Sequence, residues 1–386
     1  LSHRTGATRN DSWIDIDGGA GVLLTYASKA RRELPNSTIA LDGDVELLSR
    51  DGSFLGAHVH TSRRGIAVQI NAFNFPVWGM LEKFAPAFLA GLPSIAKPAS
   101  QTAYLSEAAV RLIIESGLLP EGSLQLISGS AGDLLDNLDG QDSVGFTGSA
   151  ATARMLRSHP TIVGNSVHFT AEADSLNSAV LTPDADPGGD EFDLFIREVV
   201  AEMTTKAGQK CTAIRRAFVP AAHIGAAEDA LVAAMREVVV GNPADPATTM
   251  GALASRHQRH EVAGAVEALK GGASAVIDTC EFRDVDAAAG AFMAPTLLRA
   301  ADPRAAEVHT TEAFGPVSTL VPYDTIEEVI DLVALGRGSL VASVYGPDSE
   351  VVAPIVSGIA SHHGRVHVVD ASVAQSSTGH GSPLPH

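Results

Sequence analysis

Gly65-Ile66-Ala67-Val68-Gln69-Ile70 is the stretch on which the fold turns. Its β-branched and apolar residues read as a strand, and the pattern then changes period. Residues 78–89 are patterned as a helix, and Ser94-Ile95-Ala96 reads as the next strand. In the segment after that, Leu105, Ala108, Ala109, Leu112 and Ile113 fall at i, i+3, i+4, i+7 and i+8, one face of a helix that Gly117 is placed to end. Leu124-Gln125-Leu126-Ile127 and Ser143-Val144-Gly145-Phe146 supply two further strands, with a short polar helix between them. Strands alternating with helices imply βαβ units, a parallel sheet and an α/β fold.

The alternation resumes after Cys211, with a strand over 214–219, a helix over 226–238 and the loop Gly241-Asn242-Pro243. Asp324-Thr325 followed by Glu327-Glu328 marks a capped helix start, and 339–345 reads as a strand, so a second α/β domain is expected. Residues 42–64 differ from both halves: polar and apolar residues alternate around Asp51-Gly52, which predicts an antiparallel hairpin, read as an arm used in assembly. The Ser-, Gly- and Pro-rich tail over 372–386 reads as loop.

Composition narrows the function. A chain of 386 residues is long enough for two or three domains, and 45% hydrophobic with 19% charged residues is an ordinary globular balance. A net charge of -18 argues against nucleic acid and against an anionic membrane surface, because both need clustered Lys and Arg. A small molecule is the expected partner. No apolar run is long enough to span a bilayer, no signal peptide opens the chain, and two cysteines make no disulfide framework, which together predict a cytoplasmic protein. The fourteen histidines include His58-Val59-His60, His362-His363 and the pair His257/His260, but none is joined by Cys or carboxylate at ligand spacing, so no metal is expected.

Cys211, at the end of Gly208-Gln209-Lys210-Cys211, follows Glu172 well along the chain. A thiolate attacks carbonyl carbon, and a carboxylate can take a proton from water once a thioester has formed. Taken alone, a free cysteine is a small buried apolar side chain. The surrounding motifs change that reading.

In order these are Asn71-Ala72-Phe73-Asn74-Phe75-Pro76, Lys97-Pro98-Ala99-Ser100, Phe146-Thr147-Gly148-Ser149, Glu172, Gly208-Gln209-Lys210-Cys211 and Glu312-Ala313-Phe314-Gly315-Pro316-Val317. Together they resemble the aldehyde dehydrogenase superfamily over nearly the whole chain. Phe169-Thr170-Ala171-Glu172-Ala173-Asp174-Ser175-Leu176-Asn177, the run 203–216, and Ser377-Thr378-Gly379-His380-Gly381-Ser382-Pro383 resemble more closely the PaaZ-type ring-opening aldehyde dehydrogenases of phenylacetyl-CoA breakdown. Most of the superfamily carries a Leu-Gly-Gly loop after the glutamate, and this chain does not.

The resemblance implies two doubly wound Rossmann-like domains with a protruding β-hairpin oligomerisation arm: cofactor binding in 1–41 and 65–171, the hairpin in 42–64, catalysis in 172–370, a loop segment in 371–386, and a homo-oligomer. It implies that Cys211 attacks an aldehyde to form a thiohemiacetal whose oxyanion is held by the Asn74 amide and the Cys211 backbone N–H. Loss of hydride to a nicotinamide then leaves a thioester, for which Glu172 activates water, a role that suits a partly desolvated carboxylate. No GxGxxG follows an early strand; by resemblance, Lys97 reaches the adenosine ribose, Gly148 and Ser149 let a helix N-terminus meet the pyrophosphate, and Glu312 with Phe314 holds the nicotinamide ribose. Ser100 stands where NAD-preferring members often carry a glutamate that repels a 2′-phosphate, so NADP is expected, with NAD possible as a substitute.

The implied reaction is NADP-dependent oxidation of a CoA-linked semialdehyde resembling 3-oxo-5,6-dehydrosuberyl-CoA semialdehyde, in aromatic-compound degradation. The alternatives are a general dehydrogenase for a free semialdehyde, a cofactor-independent cysteine hydrolase, for which no motif singles out a histidine base, and a binding module without catalysis. His380 reads as a surface-loop histidine, with a place near the substrate mouth as the alternative, and Cys280 as structural or incidental. Nothing resembles the hydratase domain of full-length relatives, and both ends are expected to extend further in the natural protein.

Overall fold

The computed structural model describes residues 2–372, 376 and 379–381. Ser377, Thr378, Ser382 and Pro383 of the tail motif lie outside the described residues. The chain divides into two compact units, one made of Trp13–Ala173 and the other of residues 2–12 with those from Asp174 onward.

The Trp13–Ala173 unit is built on a five-stranded, wholly parallel sheet. Its spatial order is Leu124–Leu126, Ser94–Lys97, Ala67–Ile70, Ser143–Thr147, His168–Glu172, so the opening stretch supplies the central strand. Parallel strands are covered on both faces, which is why Ala67 and Val68 are both buried although they point opposite ways. Val68 and Val144 pack with Leu135, Ile162 and Val167 on one face. Ala96 and Leu124 pack with Met80, Leu81 and Phe84 of the helix Trp78–Leu89 and with Val110 of Ala103–Glu115 on the other. The expected strands and helices of this region are all present, the polar helix being the short 3-10 turn Leu134–Asn137.

The hairpin pairs Ile39–Leu47 with Leu55–Thr61 antiparallel, beginning ahead of residue 42 and carrying an irregularity between Asp42 and Glu46. Asp51 makes its turn: its carboxylate accepts from the Ser49 and Ser53 hydroxyls and from Ser53 N, bonds that lower its pKa to about 2. Gly52 follows at φ +72°.

The other unit holds a seven-stranded sheet, ordered Ala273–Ile277, Thr296–Ala300, Val317–Tyr323, Arg216–Pro220, Ser178–Leu181, Ser339–Tyr345, His363–Val369. Only the first pair is antiparallel. Alternation along Ser178–Leu181 sends Val180 to one core and Ala179 with Leu181 to the other, so helices pack on both faces. On the second face Phe195 meets Tyr345 edge-on, ring centroids 5.4 Å apart, and packing of this kind adds about 0.5–1.5 kcal/mol to the area buried. Thr325 caps Ile326–Ala334 by accepting from Glu328 N, while Glu328 reaches back to Asp324 N at 2.7 Å.

Candidate active site

In the Trp13–Ala173 unit the parallel strands all end on one sheet edge, and six of the expected site residues stand there. Asn74 follows Ala67–Ile70; Lys97 ends its strand and Ser100 comes just after; Gly148 and Ser149 follow Ser143–Thr147; Glu172 closes His168–Glu172. Open α/β sheets bind ligands at this carboxyl edge. Asn74 is buried in a turn that Ser106 pins through Pro76 O at 2.8 Å. Lys97 O accepts from Asn71 N at 3.0 Å, and Gly148 N donates to Glu172 O at 3.1 Å. Gly148 has no room for a side chain, since a Cβ would lie 2.6 Å from Phe146 Cζ. Ser149 caps Ala150–Arg157 by accepting from Thr152 N at 3.3 Å.

The edge is also polar beyond its own needs. Thr147 Oγ1 and both amide atoms of Asn71 are buried without a hydrogen-bond partner among the described residues. A buried unpaired polar group costs about 1–3 kcal/mol, so three such atoms beside a helix N-terminus fit a polar, phosphate-bearing ligand. Glu82, on Trp78–Leu89, has its carboxyl pushed up by burial, pulled down by Lys83 and pushed up again by the charge of Glu172.

In the other unit, Cys211 is partly exposed and forms no disulfide. It lies just past three consecutive residues in the left-handed region: Lys206 (φ 53°), Ala207 (φ 52°) and Gly208 (φ +67°). For Lys206 and Ala207 that backbone is strained, and it persists because its surroundings hold it. Asp11, itself buried, accepts from Lys206 N at 2.9 Å, and Gln209 Nε2 donates to Lys206 O at 2.8 Å. At Gly208 a Cβ would lie 2.1 Å from Gly315 O, so the Cys211 turn and the Glu312-Phe314-Gly315 segment touch through bare backbone.

Arg215 joins the same two segments. Its guanidinium donates to Gly315 O at 2.8 Å, Gly208 O at 2.9 Å and Lys210 O at 3.2 Å, and lies 5.4 Å from the centroid of Phe314. Burial lowers the Arg215 pKa, opposed chiefly by Glu312, whose Oε1 sits 3.5 Å from Nε. Glu312 in turn is raised to about 7, because desolvation outweighs the pull of Arg215 and of Ser175 N, which donates to Oε2 at 3.1 Å. Beyond its ion pair with Arg215, Glu312 Oε1 receives no hydrogen bond from the described residues, which leaves it able to accept one from a ligand hydroxyl.

Sequence reading misses Arg215 and Asn177, although both fall inside quoted motifs. Asn177 Nδ2 donates to Cys211 O at 2.8 Å and Ala213 O at 3.0 Å. The available signal for Arg215 was Arg215-Arg216 opening an apolar strand, a charge where burial was expected. His380 corrects the sequence reading outright: it is fully buried, not a surface-loop histidine, with Nε2 2.9 Å from Thr212 O and Nδ1 2.6 Å from Ser343 Oγ. A glycine-flanked histidine in a turn-rich tail carries no periodicity from which burial could be read.

With this arrangement in view, the chain is seen to belong to the aldehyde dehydrogenase family, whose model matches residues 1–381; it is an oxidoreductase acting on aldehydes. Within that family it is 44% identical over 385 residues to a 3,4-dehydroadipyl-CoA semialdehyde dehydrogenase of Aromatoleum evansii, covering 99% of this chain and 75% of that one. Among solved structures it resembles a betaine aldehyde dehydrogenase of Staphylococcus aureus in complex with NAD+, at TM-score 0.80 and 25% identity, covering 94% of this chain and 69% of the other. A succinic semialdehyde dehydrogenase of Streptococcus pyogenes in complex with NADP+ has the same fold, at TM-score 0.80 and 21% identity, covering 94% of this chain and 75% of the other. No helix among the described residues is long and apolar enough to cross a membrane.

Proposed function

We propose that this chain oxidises a CoA-linked semialdehyde of aromatic-compound degradation to its acid, with NADP as the preferred hydride acceptor. The observation that carries the substrate class is the 44% identity, over almost all of the chain, to a dehydrogenase named for a CoA-linked semialdehyde. Cys211 is the nucleophile: its thiolate forms the C–S bond to the aldehyde carbon while the carbonyl electrons move to oxygen. The Asn74 amide and the Cys211 backbone N–H donate to that oxyanion. Bound NADP supplies an acceptor for the hydride of that carbon. Lys97, Ser100, Gly148, Ser149, Glu312 and Phe314 would hold it, and the unpaired Asn71 and Thr147 side chains would add polar contacts on the sheet edge. Glu172 then takes a proton from water, the resulting hydroxide attacks the thioester, and the Cys211 thiolate leaves with the acid released.

Ser100 supports the NADP preference, because an exposed hydroxyl at the sheet edge can donate to a 2′-phosphate that a carboxylate there would repel. The hairpin supports a homo-oligomer: Leu41, Leu47, Phe54 and Val59 are all more than half exposed within one chain, at 67%, 73%, 62% and 52%. Two cysteines outside any disulfide suit a cytoplasmic setting. We assign residues 1–41 and 65–171 to cofactor binding and 172–370 to catalysis, except that residues 2–12 pack with the catalytic unit, where Asp11 braces the turn before Cys211. Initial rates with CoA-linked and free semialdehydes, each under NADP and NAD, test the reading. A higher kcat/KM for the CoA-linked substrate with NADP is expected, and a preference for the free aldehyde overturns the substrate class.

A further inference from the structure

We propose that His380 is a positioning residue for the Cys211 loop: as a neutral imidazole protonated on Nε2, it donates to Thr212 O and fixes the peptide that follows the nucleophile. A carbonyl oxygen can only accept, so the 2.9 Å contact places the proton on Nε2. Nδ1 is then an acceptor, and the Ser343 hydroxyl, 2.6 Å away, donates to it and fixes the tautomer. With Asn177 on Cys211 O and Ala213 O, the three consecutive carbonyls of Cys211, Thr212 and Ala213 are each held by a side-chain donor.

The segment bearing His380 is itself latched. Its backbone N–H donates to Glu198 Oε1 at 2.6 Å, and Tyr345 Oη donates to Glu198 Oε2 at 2.6 Å. Arg365 donates to His380 O, and to Gly379 O at 3.3 Å. Next along, a Cβ on Gly381 would lie 2.8 Å from Thr212 Oγ1 and 2.9 Å from Lys210 Nζ, which pairs with Glu202 at 2.6 Å. Gly381 thus brings the tail against the side chains of the residues on either side of Cys211. Burial lowers the imidazole pKa to about 3; Glu198 opposes this, while Lys210 and Arg365 add to it, so the ring stays neutral under assay conditions. The loop that presents the nucleophile is therefore completed by a segment far downstream in the chain, a dependence that the Cys211 motif alone does not contain.

This inference rests on Cys211 being the nucleophile. The test uses the full chain in a Cys280→Ser background, which leaves Cys211 as the sole thiol, and measures iodoacetamide alkylation alongside NADPH formation. In His380→Leu, alkylation and kcat are expected to fall by about 10–100-fold, the size of effect that small misplacements of a reacting group produce, with KM for NADP little changed. His380→Gln keeps a donor within reach of Thr212 O and is expected to recover most of the loss, whereas His380→Asn is too short to do so. Parent-like rates in His380→Leu overturn the proposal. So do equal losses in folded Gln and Asn variants, which decide the matter if the leucine variant fails to fold. Full turnover by Cys211→Ala sinks the nucleophile reading itself; a dead Cys211→Ala beside an unimpaired His380→Leu sinks only this inference.

Discussion

Glu312 shows how burial sets the behaviour of a single side chain in this site. Its carboxyl is raised from 4.5 to about 7 with desolvation as the main cause, so the folded protein holds a proton there that the unfolded chain has already lost. Stability from this group is therefore full below pH 4.5 and falls as pH rises through about 7. Glu312→Gln is expected to flatten that part of the stability curve, read as Tm against pH; an unchanged slope would show that Arg215 compensates the charge fully. Gly208 makes a second residue-scale case: its φ of +67° disfavours alanine, and the Gly315 carbonyl oxygen stands 2.1 Å from where a Cβ would be. Gly208→Ala is expected to cost on the order of 2–4 kcal/mol in urea denaturation. Gly264→Ala, in the helix Arg256–Leu269 with nothing within 4 Å of a Cβ, is expected to stabilise by about 0.5–1 kcal/mol. Equal effects at the two positions would contradict the argument. Of the residues in this part of the site, Cys211 and Glu312 were legible as motif positions. Arg215 and His380 were not, because their roles come from contacts with carbonyls distant in sequence.

At the scale of elements, helices with a one-sided apolar pattern and strands with β-branched runs were readable. Trp78–Leu89 and Ser339–Tyr345 fall where the pattern places them, and the Thr325 cap forms as its spacing predicts. Thr325→Ala removes the acceptor for Glu328 N and is expected to cost about 1 kcal/mol, measurable as a lower Tm with kcat unchanged. The helix Arg9–Glu33 was not readable, since Gly18, Gly19 and Gly21 lower its propensity. The structure supplies the reason for two of them: a Cβ on Gly18 would lie 2.2 Å from Trp78 Cε3, and one on Gly19 would lie 3.1 Å from Leu81 Cδ1. Tertiary packing thus decides what local propensity argues against. The edge strand Ala273–Ile277, antiparallel to its neighbour, also escaped a reading tuned to βαβ units.

For the whole molecule, chain order and spatial order part company at the start, where residues 2–12 pack with the unit that begins at Asp174, and Asp11 braces the turn before Cys211. Cofactor choice belongs to this scale because it sets the redox pool the enzyme draws on. Ser100→Glu is expected to lower kcat/KM for NADP at least about tenfold while sparing NAD, as a carboxylate facing a 2′-phosphate should. An unchanged ratio would remove Ser100 from the cofactor site. The central claim, covalent oxidation at Cys211 with hydrolysis by Glu172, is tested most directly by the intact mass of Glu172→Gln after mixing with NADP and a CoA-linked semialdehyde. An acyl adduct that maps to Cys211, formed with a burst of NADPH, is predicted; steady turnover with no adduct would contradict it.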